Sequence, residues 1–141
     1  KKEVVTLLRQ RARPYLFSNT LMPAIAHASV RALELLEQGD GLRKRLRDNS
    51  ARFRAEMTSL GFKLAGEGHP IIPVMLYDAP KAQKMAARLL ELGVYVIGFF
   101  YPVVPMGQAR IRVQISAAHT KDHIDKALKI MEQVGKEMKI I

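Results

Sequence analysis

The chain has 141 residues, 48% hydrophobic and 26% charged, and a formal net charge of +10. That balance suits one ordinary globular domain with a real core and excludes a disordered tail. Cysteine is absent, which excludes disulfide frameworks and thiolate metal sites, and no apolar run has the length needed to span a bilayer. The first residue is Lys1 and not Met, so the chain is expected to be processed, trimmed or partly seen.

Lys2 to Gln10 reads as helical, with Val4, Val5, Leu7 and Leu8 on a broad apolar stripe. Pro14 disfavours helix at Arg13, and Pro23 suits the first turn of a new helix. Ala26, Val30, Leu33 and Leu36 recur at helical spacing until Gly39. Asp40 is a plausible N-cap for a third helix whose stripe is Leu42, Leu46, Asn49, Phe53, Met57 and Leu60. The period then changes. Residues 62–64 and 71–76 read as extended, the second as a strand covered on both faces. Asp78 and Pro80 open a helix through Leu92, stopped by Gly93. Residues 94–97 form a short β-branched strand, and the tract from Gly98 to Pro105 is too proline-rich for a central one.

Residues 109–115 alternate, with Ile111, Val113 and Ile115 on one face and Arg110, Arg112 and Gln114 on the other. Thr120 caps a last helix, from Lys121 to about Met138. Helices followed by a β-β-α-β-β-α order imply a two-layer α+β sandwich with three or four strands.

The basic residues concentrate in Lys1 to Arg13 and in Arg43 to Arg54. A solvated helix face accounts for the second cluster, and a phosphorylated small molecule is a further option. Nucleic acid fits less well, because the nine aromatics do not alternate with the basic residues as a stacking platform would. Metal binding has little support. His119 and His123 are four apart, but His119 precedes the helix and no acidic partner converges on them by spacing. No glycine-rich phosphate loop or nucleophile elbow is present.

Two positions invite a ligand. Arg112 faces away from the helix-packed core, where a planar guanidinium fixed by a strand can hold a carboxylate through two parallel hydrogen bonds. By pattern alone the better reading of Arg110 and Arg112 is as solvent-facing residues or ion-pair partners. Ser18, Asn19 and Thr20 precede a helix N-terminus, where hydroxyl and amide groups either cap the helix or bind a phosphate.

The stretch Arg13-Pro14-Tyr15-Leu16-Phe17-Ser18-Asn19-Thr20-Leu21 resembles the segment that follows the cofactor lysine in the α-oxoamine synthases. The tract Gly98-Phe99-Phe100-Tyr101-Pro102-Val103-Val104-Pro105 is similar to the C-terminal signature of that family. So are Ala109-Arg110-Ile111-Arg112 and Ser116-Ala117-Ala118-His119-Thr120. The likeness covers essentially the whole chain and is nearest to the glycine-acetylating branch. It implies the small C-terminal domain of a fold-type-I transferase that uses pyridoxal 5′-phosphate (PLP), mostly antiparallel sheet backed by helices. Residues 1–22 would then be a connecting segment from a cofactor domain, and 23–141 the C-terminal α+β domain.

The implied reaction interconverts glycine plus acetyl-CoA with 2-amino-3-oxobutyrate plus CoA, a step in threonine breakdown. Family roles carry over to three residues. Arg112 would clamp the substrate carboxylate, while Ser18 and Asn19 would reach the cofactor phosphate of the neighbouring subunit in a homodimer. None of the eleven lysines matches the cofactor-lysine context, so no catalytic residue is expected within the chain and the isolated 141 residues are expected to be inactive. Neither nucleic acid nor membrane is an expected partner. The expected compartment is the mitochondrion, or else the bacterial cytoplasm. The competing reading is a free-standing basic α+β module that binds a polyanion.

Overall fold

The computed structural model describes residues 1–17 and 21–141. They separate into two compact units, Lys1–Asp40 and Gly41–Ile141.

The first unit is helical. It holds α1 (Lys2–Arg11), α2 (Arg13–Phe17) and α3 (Pro23–Glu37). The helix break falls at Ala12, which is extended at φ −72° and ψ 106°. Arg13 therefore opens α2, against the expectation that Pro14 would hold it out of a helix. Pro14 sits in the first turn of that helix, where a missing N–H leaves nothing unsatisfied. Pro23 starts α3 after an extended Met22, as its ring geometry favours. None of the residues in these three helices is buried.

The second unit has a core. It contains α4 (Asp40–Ser59) beyond its first residue, β1 (Ile71–Tyr77), α5 (Ala79–Glu91), β2 (Ile97–Phe99), β3 (Ala109–Gln114) and α6 (Lys121–Glu137). The three strands form an antiparallel sheet in the order β1-β3-β2. Phe53 and Met57 of α4, Met85 and Leu89 of α5, and Met131 and Val134 of α6 pack with Ile72, Val74 and Ile111 of the sheet. Apolar side chains repeat at three- and four-residue steps on the helices and at every second residue on β3, so these elements bury one face. The strand β1 instead buries Val74, Met75 and Leu76 in succession, on both faces, as its apolar run implies. The helices α5 and α6 begin at side-chain caps. Asp78 accepts the N–H of Lys81 at 2.7 Å, and Thr120 accepts that of His123 at 3.3 Å.

Two expected strands came out differently. Residues 62–64 contribute only an isolated bridge, Leu64 to Val74, with the Met75 N–H on the Lys63 carbonyl at 2.8 Å. Gly61 and Gly66, both at positive φ, turn the backbone on either side and leave too few residues to extend the pairing. The strand expected at 94–97 begins instead at Ile97, because pairing to β3 starts with Ile97 opposite Arg112. The proline-rich tract contributes Gly98 and Phe99 to β2, which is an edge strand, as proline allows.

Side chains of α4 tie the unit together beyond its apolar stripe. Asn49 donates to the carbonyls of Ser116 at 3.2 Å and His119 at 3.0 Å. Arg54 donates to the carbonyls of Gly66 at 2.8 Å and His69 at 3.2 Å, and Arg52 pairs with Asp125. The basic cluster on this helix is thus partly internal scaffolding and not only a solvated face.

Candidate functional site

The central strand β3 carries the candidate residue Arg112. Ala109, Ile111 and Ile115 point into the core, which leaves Arg110, Arg112 and Gln114 on the opposite face. Cross-strand partners share a face, so Arg112 stands between Pro73 of β1 and Ile97 of β2, with Phe99 diagonal to it.

The two arginines differ in what they touch. Arg110 is half-buried, and its Nε–H donates to the Gln108 carbonyl at 3.0 Å, which turns the guanidinium back onto its own chain. Arg112 is exposed. Its guanidinium carbon lies 4.7 Å from the centroid of the Phe99 ring, and it makes no hydrogen bond or ion pair among the described residues. The open choice between ion pairing and ligand binding therefore narrows. A guanidinium stacked on a ring keeps its in-plane N–H groups available, and those are the groups that take a carboxylate two-pronged.

A cleft of about 670 Å³ opens beside this end of the sheet. Arg112, Tyr95 and Ile97 line one part of it, and His119, His123 and Lys126 another, over a floor that includes Phe53 and Met131. No carboxylate lines it among the described residues, so its charged lining groups are cationic.

The histidines serve local structure. His119 Nδ1 accepts the Ser116 N–H at 3.2 Å, and His123 Nδ1 accepts the Thr120 N–H at 3.3 Å. Their ring centroids are 6.4 Å apart at 86°, an edge-to-face contact. Among the described residues no group of three or more histidine, cysteine or acidic side chains could hold a metal. The other two ligand candidates, Ser18 and Asn19, lie outside the described residues, as does Thr20. Every lysine in the chain is exposed, Lys126 at the cleft included.

Alternation places Arg112 on the open face of the strand, but nothing in the sequence pairs it with Phe99. The only signal was aromatic content in the tract from Gly98 onward. Pairing the ring with the arginine requires the β2–β3 register, which depends on where β2 starts.

The sequence pattern of the family described as aminotransferase class I and II matches residues 1–131. The Escherichia coli (strain K12) 2-amino-3-ketobutyrate coenzyme A ligase is 57% identical over 141 residues, which is 100% of this chain and 35% of that protein. The human mitochondrial 2-amino-3-ketobutyrate coenzyme A ligase is 50% identical over 133 residues, covering 94% of this chain and 32% of its own length. Sphingomonas wittichii serine palmitoyltransferase superposes with a TM-score of 0.90 at 29% identity, over 97% of this chain and 35% of its own. A serine palmitoyltransferase solved with PLP superposes at 0.91, with the same identity and coverage. The chain thus spans about a third of the length of the curated relatives it matches.

Proposed function

The chain belongs to the class I and II aminotransferase family, and from that premise we propose that it is the substrate-gripping, C-terminal part of a PLP-dependent glycine C-acetyltransferase. The reaction is the interconversion of glycine plus acetyl-CoA with 2-amino-3-oxobutyrate plus CoA, which serves threonine breakdown. Support comes from the relatives at 57% and 50% identity, both 2-amino-3-ketobutyrate coenzyme A ligases. The observation that carries the reading is Arg112, held on the open face of the sheet with no hydrogen bond or ion pair among the described residues.

PLP, when bound, supplies an electron sink that lets glycine give up an α-proton and react at a thioester. The donor chemistry fits the substrate side of such a site. Arg112 binds the glycine carboxylate through two parallel N–H···O bonds. A fixed carboxylate constrains which bond of the α-carbon stands perpendicular to the conjugated plane, and so favours loss of a proton over loss of carbon dioxide. Ser18 and Asn19 bring a hydroxyl and an amide suited to a phosphate, and in this proposal they serve the cofactor phosphate of a second copy in a homodimer.

None of the eleven lysines stands in a sequence context that matches the family's cofactor lysine. The 141 residues alone are inactive on this reading, with residues 1–22 leading from the cofactor domain into 23–141. A visible absorbance band in that isolated polypeptide, discharged by borohydride, would contradict this. The mitochondrial compartment suggested by the basic charge agrees with the human relative's name. The higher identity to the Escherichia coli protein favours the bacterial alternative.

Steady-state kinetics of Arg112→Lys in the full-length enzyme test the assignment. Lysine keeps the charge and loses the two-pronged geometry. The expected result is a loss of about 1.5–3 kcal/mol, roughly 10- to 100-fold in kcat/KM for glycine. An unchanged kcat/KM removes Arg112 from the site.

A further inference from the structure

We infer that Phe99 is a positioning residue for Arg112, holding the guanidinium in its receiving orientation by stacking; this rests on Arg112 being the carboxylate clamp.

An exposed arginine has many rotamers, and ordering them when a ligand binds weakens the binding. Proteins commonly restrain such a side chain with a carboxylate, but an ion pair occupies the same N–H groups that the ligand needs. An aromatic ring does the job differently. It contacts the flat face of the guanidinium and leaves all the in-plane donors open. Arg112 fits this second arrangement: its guanidinium carbon lies over the Phe99 ring, 4.7 Å from the centroid, and it has no hydrogen-bonding partner among the described residues. Its neighbour Arg110 is restrained through a donor, on the Gln108 carbonyl. Restraint of Arg110 thus occupies part of its hydrogen-bonding capacity, and restraint of Arg112 occupies none.

The ring is itself held from two sides. Phe99 ends the edge strand, where it pairs with Arg110 while Ile97 pairs with Arg112. On the other face, Gly98 brings the strand against α5 so closely that a Cβ there would stand 3.1 Å from the Ala82 carbonyl oxygen. The helix backbone therefore sets the height of β2, and β2 sets the position of the ring. A guanidinium stacked there presents its edge, and not its face, to an incoming carboxylate.

The test uses the full-length holoenzyme with Phe99→Leu, which keeps apolar bulk without the π system, and with Phe99→Tyr, which restores the ring. The expected result for Phe99→Leu is an increase of about 2- to 5-fold in the KM for glycine, the size of an exposed cation–π contact. kcat and the KM for acetyl-CoA stay close to their original values, and Phe99→Tyr returns the glycine KM. A second readout needs no turnover. In protein labelled with ¹⁵N-arginine, ring current shifts the Arg112 Nε–H resonance, and Phe99→Leu moves it to the ordinary range.

The inference is overturned if Phe99→Leu leaves both the glycine KM and the resonance in place while Arg112→Lys still weakens glycine use; the clamp then stands without its ring. It is equally overturned if Phe99→Leu and Phe99→Tyr lower kcat and raise both KM values together, since that is a folding defect. An Arg112→Lys enzyme with unchanged glycine kinetics removes the clamp reading itself.

Discussion

The two units of the chain differ most in what their apolar residues do. In Lys1–Asp40, Val4, Leu7 and Leu33 sit on amphipathic helices and are 53%, 60% and 62% exposed, and no helical residue is buried. In Gly41–Ile141, residues at the same helical spacing are inaccessible: Phe53 is 1% exposed, Met57 and Met131 0%. Periodicity is therefore a statement about which face will be covered, not about whether a cover is present. The second unit supplies its own covering sheet and helices. The first carries the same pattern on α1 and α3 with no residue of its helices buried.

The contrast is most readily broken by paired truncations, read as thermal unfolding of the 141-residue chain. Phe53→Ala should cost about 3–5 kcal/mol, because it opens a cavity among α4, α6 and the sheet. Leu33→Ala should stay within about 0.5 kcal/mol, the range of surface changes. Equal losses at the two positions would show that the first unit has a core after all.

Gly135→Ala sharpens the comparison from the packing side. A Cβ at Gly135 would lie 2.6 Å from Phe62 Cζ and 3.0 Å from Ile141 Cγ1, so α6 and its neighbours must move apart. Overpacking of about 1–3 kcal/mol is expected, offset by up to about 1 kcal/mol of improved helix propensity. A rise in Tm would mean that the α6 contacts are looser than their geometry.

The smallest effect belongs to the surface of the second unit. Glu137 accepts from Arg88 and from Gln133, and the Arg88 guanidinium, more than the Gln133 amide, holds its carboxyl below the usual carboxylate value. A lowered native value makes the contribution present at neutral pH and lost as pH falls through the folded-state value. Glu137→Gln should therefore lower Tm slightly at pH 7, and the gap from the unsubstituted chain should close on acidification. A gap that widens in acid would refute the assignment of sign.

Much of this architecture was legible from periodicity and punctuation. The α4 stripe from Leu46 to Leu60, the helices α5 and α6, the Asp78 and Thr120 caps and the alternation of 109–115 follow from local chemistry, and the structure agrees. Leu42, the first residue of the expected α4 stripe, is exposed instead. So does the expected fold class, an α+β part of a fold-type-I transferase, since serine palmitoyltransferase superposes at 0.91. What local rules missed was decided at a distance. Residues 62–64 had strand composition but glycines at both ends, and β2 was displaced because Gly98, not the β-branched residues before it, sets the approach to α5. The site divides in the same way. Alternation alone puts Arg112 on the open face, while its contact with Phe99 depends on register between strands ten or more residues apart.

The paired histidines carry a consequence for the turn that joins β3 to α6. Each ring accepts a main-chain N–H at Nδ1, so in the neutral ring the one remaining hydrogen must reside on Nε2. Both imidazoles are committed to the same tautomer by backbone geometry. With Nδ1 taken by the main chain, what each neutral ring has left to offer is a donor at Nε2, so this turn can greet an acceptor and has no free ring lone pair for a metal ion.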